Sequence, residues 1–150
     1  MVQARLMIKE VDLVKLNEVE AVLLTGLEKI NQFDLVQVEN AALELMKSGP
    51  EIVVITLGAG GSYFQIKEGG VYVPPFKVDT IDAVGCGDAF VAGLLSKLVE
   101  QNDWREILSL ARMTPALQYA NAVGALTSLK RGAIPAMPTK KEVEKFLEGK

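Results

Sequence analysis

The chain has 150 residues, 49% of them hydrophobic and 23% charged, which is the balance of a globular domain and excludes a disordered or low-complexity segment. A net charge of −3 argues against nucleic acid or an anionic membrane as the main partner, and no run of 18 apolar residues or basic-then-apolar leader marks a membrane span or signal peptide. One cysteine and no histidine leave no disulfide framework, little to hold zinc and no Ser-His-Asp or Cys-His mechanism, so catalysis must run on carboxylates, lysine, backbone amides or a bound metal.

Along the chain, Val11–Leu16 reads as a short buried strand, and Asn17 with Glu20 opens a helix that runs through Leu24 and stops at Gly26. Asp34–Lys47 is predicted as a second helix, because Leu35, Val38, Ala42, Leu45 and Met46 share one face. Asp34 and Gln37 form a capping-box-like start to it and Gly49-Pro50 the stop. The β-branched run Glu51–Leu57 has the look of a central parallel strand. Phe64 and Ile66, then Val71 and Val73, alternate around Glu68-Gly69-Gly70 and suggest a hairpin. Ala89–Val99 is apolar nearly all round and is expected to be a largely buried helix. Trp104–Met113 and Ala116–Leu129 are predicted as helices separated or kinked at Pro115, and Lys140–Leu147 as a terminal amphipathic helix. Strands alternating with helices point to an open α/β sheet in one domain.

The chemistry concentrates in Val78–Leu95. Gly85-Cys86-Gly87 is a flexible turn delivered into a helix expected to start at Asp88 or Ala89. Glycines let backbone amides converge, and a helix start adds partial positive charge, so such a turn can hold an anion. Asp88 at that mouth is placed to take a proton from an attacking hydroxyl while the amides stabilise a transferring phosphoryl group. On spacing alone an ordinary reading competes: Asp is a favoured N-cap and glycines mark loops. Likewise Asn17 with Glu20 is a good capping box, Gly58–Gly61 a plausible plain turn, Asn121 a residue that can satisfy a backbone group, and Cys86 a small packing residue.

The segment Asp82-Ala83-Val84-Gly85-Cys86-Gly87-Asp88 resembles the D-T-x-G-A-G-D signature of the PfkB, or ribokinase-like, carbohydrate kinases. Asn17-Glu18-Val19-Glu20 resembles the family's N-x-x-E motif, and Thr56-Leu57-Gly58-Ala59-Gly60-Gly61 its T-x-G-x-x-G nucleotide segment. Tyr119-Ala120-Asn121-Ala122 and Lys130-Arg131-Gly132-Ala133-Ile134-Pro135 resemble its late adenine and cation loops. The motifs fall in family order across essentially the whole chain, and the C-G-D-A-F and G-A-L-T-S-L-K-R-G-A-I-P segments are most similar to fructokinases.

The resemblance implies a ribokinase-like three-layer α/β/α open sheet, of which this chain is the C-terminal, ATP-binding portion. It implies a cytoplasmic kinase that transfers the γ-phosphoryl group of ATP to a sugar hydroxyl. Asp88 matches the catalytic base, and Gly85, Cys86 and Gly87 the anion hole. Asn17 and Glu20 match the pair that organises Mg2+ and phosphate, Glu20 through water. Thr56, Gly58 and Gly61 match nucleotide-loop positions, and Asn121 an adenine-side one. Asp82, Val84, Lys130 and Gly132 fall where many members bind a monovalent cation, usually K+, mostly through backbone carbonyls. Ala83 stands where threonine is usual, and Cys86 where alanine or glycine is usual.

Family members usually run to about twice this length, so the half that supplies the substrate lid, an acidic sugar contact and several strands is expected to be missing. An unpaired strand edge and an exposed apolar face should result, consistent with a mean hydropathy of +0.23. The chain alone is therefore expected to be inactive, its partners being ATP, a sugar and either the missing N-terminal half or a second copy. Two alternatives remain at this point: a non-catalytic nucleotide-binding or assembly fragment, and a kinase for another sugar or a nucleoside.

Overall fold

The computed structural model describes residues 7–27 and 29–149. The chain divides into two compact units, Met1–Val73 and Pro74–Lys150.

The first unit is built around the β-branched run Ile52-Val53-Val54-Ile55, all buried, in strand β2 (Ile52–Thr56). β1 (Leu13–Asn17) pairs with it in parallel, and β3 (Ser62–Ile66) and β4 (Gly69–Val73) continue the sheet antiparallel, in the order β1-β2-β3-β4. The strand predicted as central and parallel is thus parallel on one side only. The hairpin turn falls at Lys67-Glu68, one residue earlier than the glycines suggest, because Gly69 and Gly70 belong to β4. Gly70 is required there: a Cβ would collide with the Tyr63 hydroxyl and Gln65 Oε1. Burial, reinforced by the Glu39 carboxylate, pushes that Tyr63 hydroxyl up to about 12.

Helix α1 (Glu18–Thr25) ends on Gly26, whose φ of 78° is left-handed and cheap only for glycine. Helix α2 (Leu35–Met46) starts on Asp34, whose carboxylate accepts from the Val36 and Gln37 amides. Gln37 does not close the expected box; its Oε1 accepts from the Asn31 amide at 3.0 Å. Ala21, Val38, Ala42 and Leu45 pack with Val53, Ile55 and Leu57 on one sheet face. Among the described residues β1 is an edge strand, flanked by exposed Val19 and Leu23 on α1.

The second unit is helical: α3 (Cys86–Leu98), α4 (Leu110–Thr127) and α5 (Lys140–Glu148). α3 begins at Cys86, earlier than expected, and is buried on one face only: Val99 just beyond it is 75% exposed and Leu95 44%. Trp104–Met113 is not one helix. A 3-10 turn covers Trp104–Ile107, capped by the Asp103 carboxylate on Arg105 N, and extended Ser109 separates it from α4. α4 then continues through Pro115, which sits in its second turn, where the missing N–H forfeits a single intrahelical bond. No helix among the described residues is long and apolar enough to cross a membrane.

α3 and α4 approach closely at Gly93, where a Cβ would lie 2.9 Å from Val123 Cγ2 and 3.2 Å from Ala120 Cα. Gly93→Val should therefore overpack this contact and lower stability by about 1–3 kcal/mol, as read from urea unfolding. At the start of α5, Thr139 N and Oγ1 both donate to Glu142 Oε2, at 2.7 and 2.9 Å, in a capping box. The Thr139 amide and hydroxyl, with Lys130 nearby, hold the Glu142 carboxyl below its ordinary 4.5. Because the folded-state value is the lower one, the cap is fully in force above pH 4.5 and is lost as pH falls through the depressed value. Helix α5 should accordingly fray on acidification, and Glu142→Gln, which removes the titrating carboxyl, should abolish that pH-dependent loss of α5 amide protection in hydrogen exchange.

Candidate active site

In the first unit, register places the two nucleotide-side motifs side by side at the C-terminal ends of parallel strands. Asn17, last residue of β1, pairs directly with Thr56, last residue of β2, and Thr56 Oγ1 donates to Leu16 O at 3.3 Å. Crevices beyond such strand ends are where open α/β sheets bind ligands.

Asn17 and Glu20 form a complete capping box: Asn17 Oδ1 accepts from Glu20 N and Glu20 Oε2 from Asn17 N, each at 2.8 Å. The capping reading is thus real structure. It leaves the second carboxylate oxygen of exposed Glu20 with no partner among the described residues. No group of three or more Asp, Glu, Cys or His that could cage a metal occurs among them. A single exposed carboxylate suits Mg2+ that keeps its waters and takes its remaining ligands from phosphate.

Beyond Thr56, the chain turns through Gly58–Gly60, with Gly60 N on Leu57 O and Leu57 N on Gly61 O, both 2.8 Å. Gly58 and Gly61 have φ of 54° and 88°, and a Cβ on exposed Gly58 would meet nothing within 4 Å. This loop leaves its backbone open to close approach by a ligand.

In the second unit, Gly85 is the N-cap of α3 with φ of 80°, and no side chain caps the helix. Asp88 is therefore not the cap that its residue type suggests. It is the third helical residue, exposed in the first turn, and its carboxylate has no hydrogen-bond or ion-pair partner among the described residues. Cys86 N goes to Ala83 O and Ala89 N to Gly85 O, while no backbone acceptor among the described residues meets the amides of Gly87 and Asp88. Free amides, a helix dipole and an unengaged carboxylate thus share one helix start. Cys86 is half-buried, its Sγ 3.7 Å from Asp82 O. Burial, with the Asp82 carboxylate's charge, pushes its thiol up, against a nucleophilic role.

The proposed cation residues are brought together by a contact with no local signal in the sequence. Asp82 Oδ2 accepts from Gly132 N at 2.9 Å and Oδ1 from Val84 N at 3.0 Å, and these amides hold its carboxyl below the usual carboxylate range. The carbonyls of Val84, Lys130 and Gly132 accept no hydrogen bond among the described residues, which leaves hard oxygen donors open to a cation. Lys130 directs its ammonium to Glu142 at 3.5 Å. Asn121, on α4, donates through Nδ2 to Pro74 O at 3.2 Å, so it does satisfy a backbone group.

Comparison with known proteins agrees with the motifs. The pfkB family carbohydrate kinase profile matches residues 1–140. The chain is 38% identical over 138 residues to a probable fructokinase-4 of Arabidopsis thaliana, covering 92% of this chain and 40% of that protein. It superposes with a TM-score of 0.77 and 34% identity on a fructokinase double mutant from Vibrio cholerae O395 crystallised with fructose, ADP and potassium, covering 91% and 40% of the two chains. For an aminoimidazole riboside kinase from Salmonella enterica, complexed with aminoimidazole riboside and an ATP analogue, the TM-score is 0.80 at 30% identity, with 96% and 44% covered. The fold is therefore ribokinase-like, and the chain spans about 40% of the length of the curated relatives it matches. From the ordered motifs, the strand-end geometry and these matches together, the chain belongs to the pfkB family of carbohydrate kinases.

Proposed function

We propose that this chain is the ATP-binding, base-bearing portion of a fructokinase-like enzyme that transfers the γ-phosphoryl group of ATP to a sugar hydroxyl. The observation that carries the proposal is the start of α3, where a glycine N-cap, open amides and an unengaged Asp88 coincide.

Phosphoryl transfer asks little covalent chemistry of a protein; positioning and charge stabilisation carry it. Asp88 takes the proton of the attacking hydroxyl, and the amides of the Gly85-Cys86-Gly87 turn stabilise the charge of the transferring group. Asn17 and Glu20 serve the phosphates, with Glu20 reaching Mg2+ through water. Mg2+, when bound, neutralises phosphate charge. Thr56, Gly58 and Gly61 line the nucleotide, with Asn121 on the adenine side. Asp82, Val84, Lys130 and Gly132 frame the monovalent cation. Cytoplasm, where ATP is abundant, suits this chemistry.

A second reading is favoured by the 40% share of relatives that the chain spans: a nucleotide-binding or assembly fragment, inactive until it meets a complementary N-terminal portion. The similarity to an aminoimidazole riboside kinase keeps a nucleoside acceptor in view. Calorimetric titration with Mg-ATP, followed by a coupled kinase assay with fructose and with a nucleoside, in the presence and absence of the complementary portion, separates these. Mg-ATP binding with fructose turnover only in the presence of both portions supports the proposal; absence of Mg-ATP binding overturns it.

A further inference from the structure

The Asp82 side chain joins two segments 50 residues apart, through Gly132 N at 2.9 Å, while also fixing Val84 N at 3.0 Å. Its backbone is anchored as well: Ile81 N and Asp82 N both donate to Ser128 O, at 2.8 and 3.1 Å, just beyond α4. On the far side of Gly132, Ala133 is seated against the glycine turn. A Cβ on Gly85 would lie 2.7 Å from Ala133 Cβ and 2.9 Å from Ala133 Cα. A continuous contact path therefore runs from the Asp82 carboxylate through Gly132 and Ala133 to Gly85.

Cys86 and Gly87 are already the first residues of α3, whereas Gly85 ahead of them has few restraints of its own. As N-cap it carries no side-chain bond, and the bonds at this helix start outside the helix ladder are Cys86 N to Ala83 O at 3.3 Å, Ala89 N to Gly85 O at 2.9 Å and the long Cys86 Sγ contact. Gly85 therefore takes its position from what abuts it, and the start of α3 follows it. The geometry points to the Asp82 carboxylate as a positioning residue: it holds the Gly132–Ala133 segment against Gly85 and so sets the amides of the Gly85-Cys86-Gly87 turn. This deepens the proposed function and rests on it for the identity of the ligand, but assigns the side chain a task separate from any cation contact of the backbone. Amides fixed in advance need no rearrangement when charge develops, which is the source of their effect.

The test uses the 15N-labelled 150-residue chain without nucleotide. Asp82→Asn keeps the shape but turns an NH2 donor toward one of the two N–H groups and leaves only an uncharged acceptor for the other, so the Gly132 and Val84 bonds both lose their charge assistance. With far-UV circular dichroism unchanged, Gly132 N–H should exchange about tenfold faster, and the amide resonances of Gly85, Cys86 and Gly87 should move. Ala133→Gly, which leaves Asp82 untouched, should move the same turn resonances while Gly132 stays protected. In a Mg-ATP titration Asp82→Asn should bind about tenfold more weakly. Turn resonances that stay in place when Gly132 loses protection, or when Ala133 loses its Cβ, would overturn the positioning role. Turn resonances that respond to both variants but not to Mg-ATP on the wild-type chain would uphold positioning and overturn the phosphoryl-site reading instead.

Discussion

Asp88→Asn, assayed in an enzyme assembled from this chain and a complementary N-terminal portion, is expected to lower kcat by about 100- to 10,000-fold, the usual contribution of a general base. Mg-ATP affinity should change by less than about twofold, because Asp88 is assigned to the acceptor hydroxyl and not to the nucleotide. The isosteric amide cannot accept the proton yet preserves shape, and Asp88 neither caps α3 nor bonds another described side chain, so folding should be unaffected. Steady-state kinetics beside calorimetry of the same variant gives both numbers. A turnover near that of wild type would remove Asp88 from the role of base.

Gly85→Val is expected to be damaging for a different reason. The residue has φ of 80°, a region that costs an L-residue roughly 1–2 kcal/mol and a β-branched one more. Its Cβ would also press on Ala133, including backbone Cα at 2.9 Å, so the late loop must move. The sum should be about 2–4 kcal/mol of stability, read from urea unfolding. A kcat loss of 100-fold or more is expected in the assembled enzyme, as for removal of an anion-hole donor. Gly58→Ala is the matched comparison: φ of 54° imposes strain, but nothing lies within 4 Å of the new Cβ. That variant should lose only about 1 kcal/mol.

Features legible in the sequence are those set by neighbours along the chain. The Asn17–Glu20 box, the stop at Gly26, the Asp34 cap and the β-branched run of β2 each depend on residues within a few positions, and each is found. The structure departs where a local rule meets a competing one. Asp88 obeys the preference for acid in a first turn rather than at a cap, because left-handed Gly85 starts the helix without a side chain. Pro115 does not break α4 although it forfeits the bond to Ala111 O, because the buried face of Met113, Ala116, Leu117 and Ala120 holds the helix across it. The segment after Asp103 forms only a 3-10 turn because its cap and extended Ser109 confine it to four residues. The Lys67-Glu68 turn takes one residue fewer than glycine placement suggests, for Gly70 is reserved for the space that Tyr63 and Gln65 occupy.

For the site, the motifs supply the candidate residues, and the structure adds what spacing does not carry. The pairing of Asn17 with Thr56 follows from parallel register, which no single motif encodes. The bond from Asp82 to Gly132 and the seat of Ala133 on Gly85 join segments about 50 residues apart. In the sequence Asp82 is legible as the head of the signature segment and a cation-side candidate, and Ala133 as part of the late loop, but nothing there joins the two to Gly85. Their role comes from tertiary placement alone.

The most direct test is a coupled assay of ADP release from Mg-ATP with fructose, run on this chain alone, on the complementary N-terminal portion alone, and on both together. Release should appear only in the mixture, saturate with fructose and vanish when Asp88 is replaced by asparagine. Fructose-dependent release by the 150-residue chain alone, or undiminished release by the mixture carrying Asp88→Asn, would contradict the assignment.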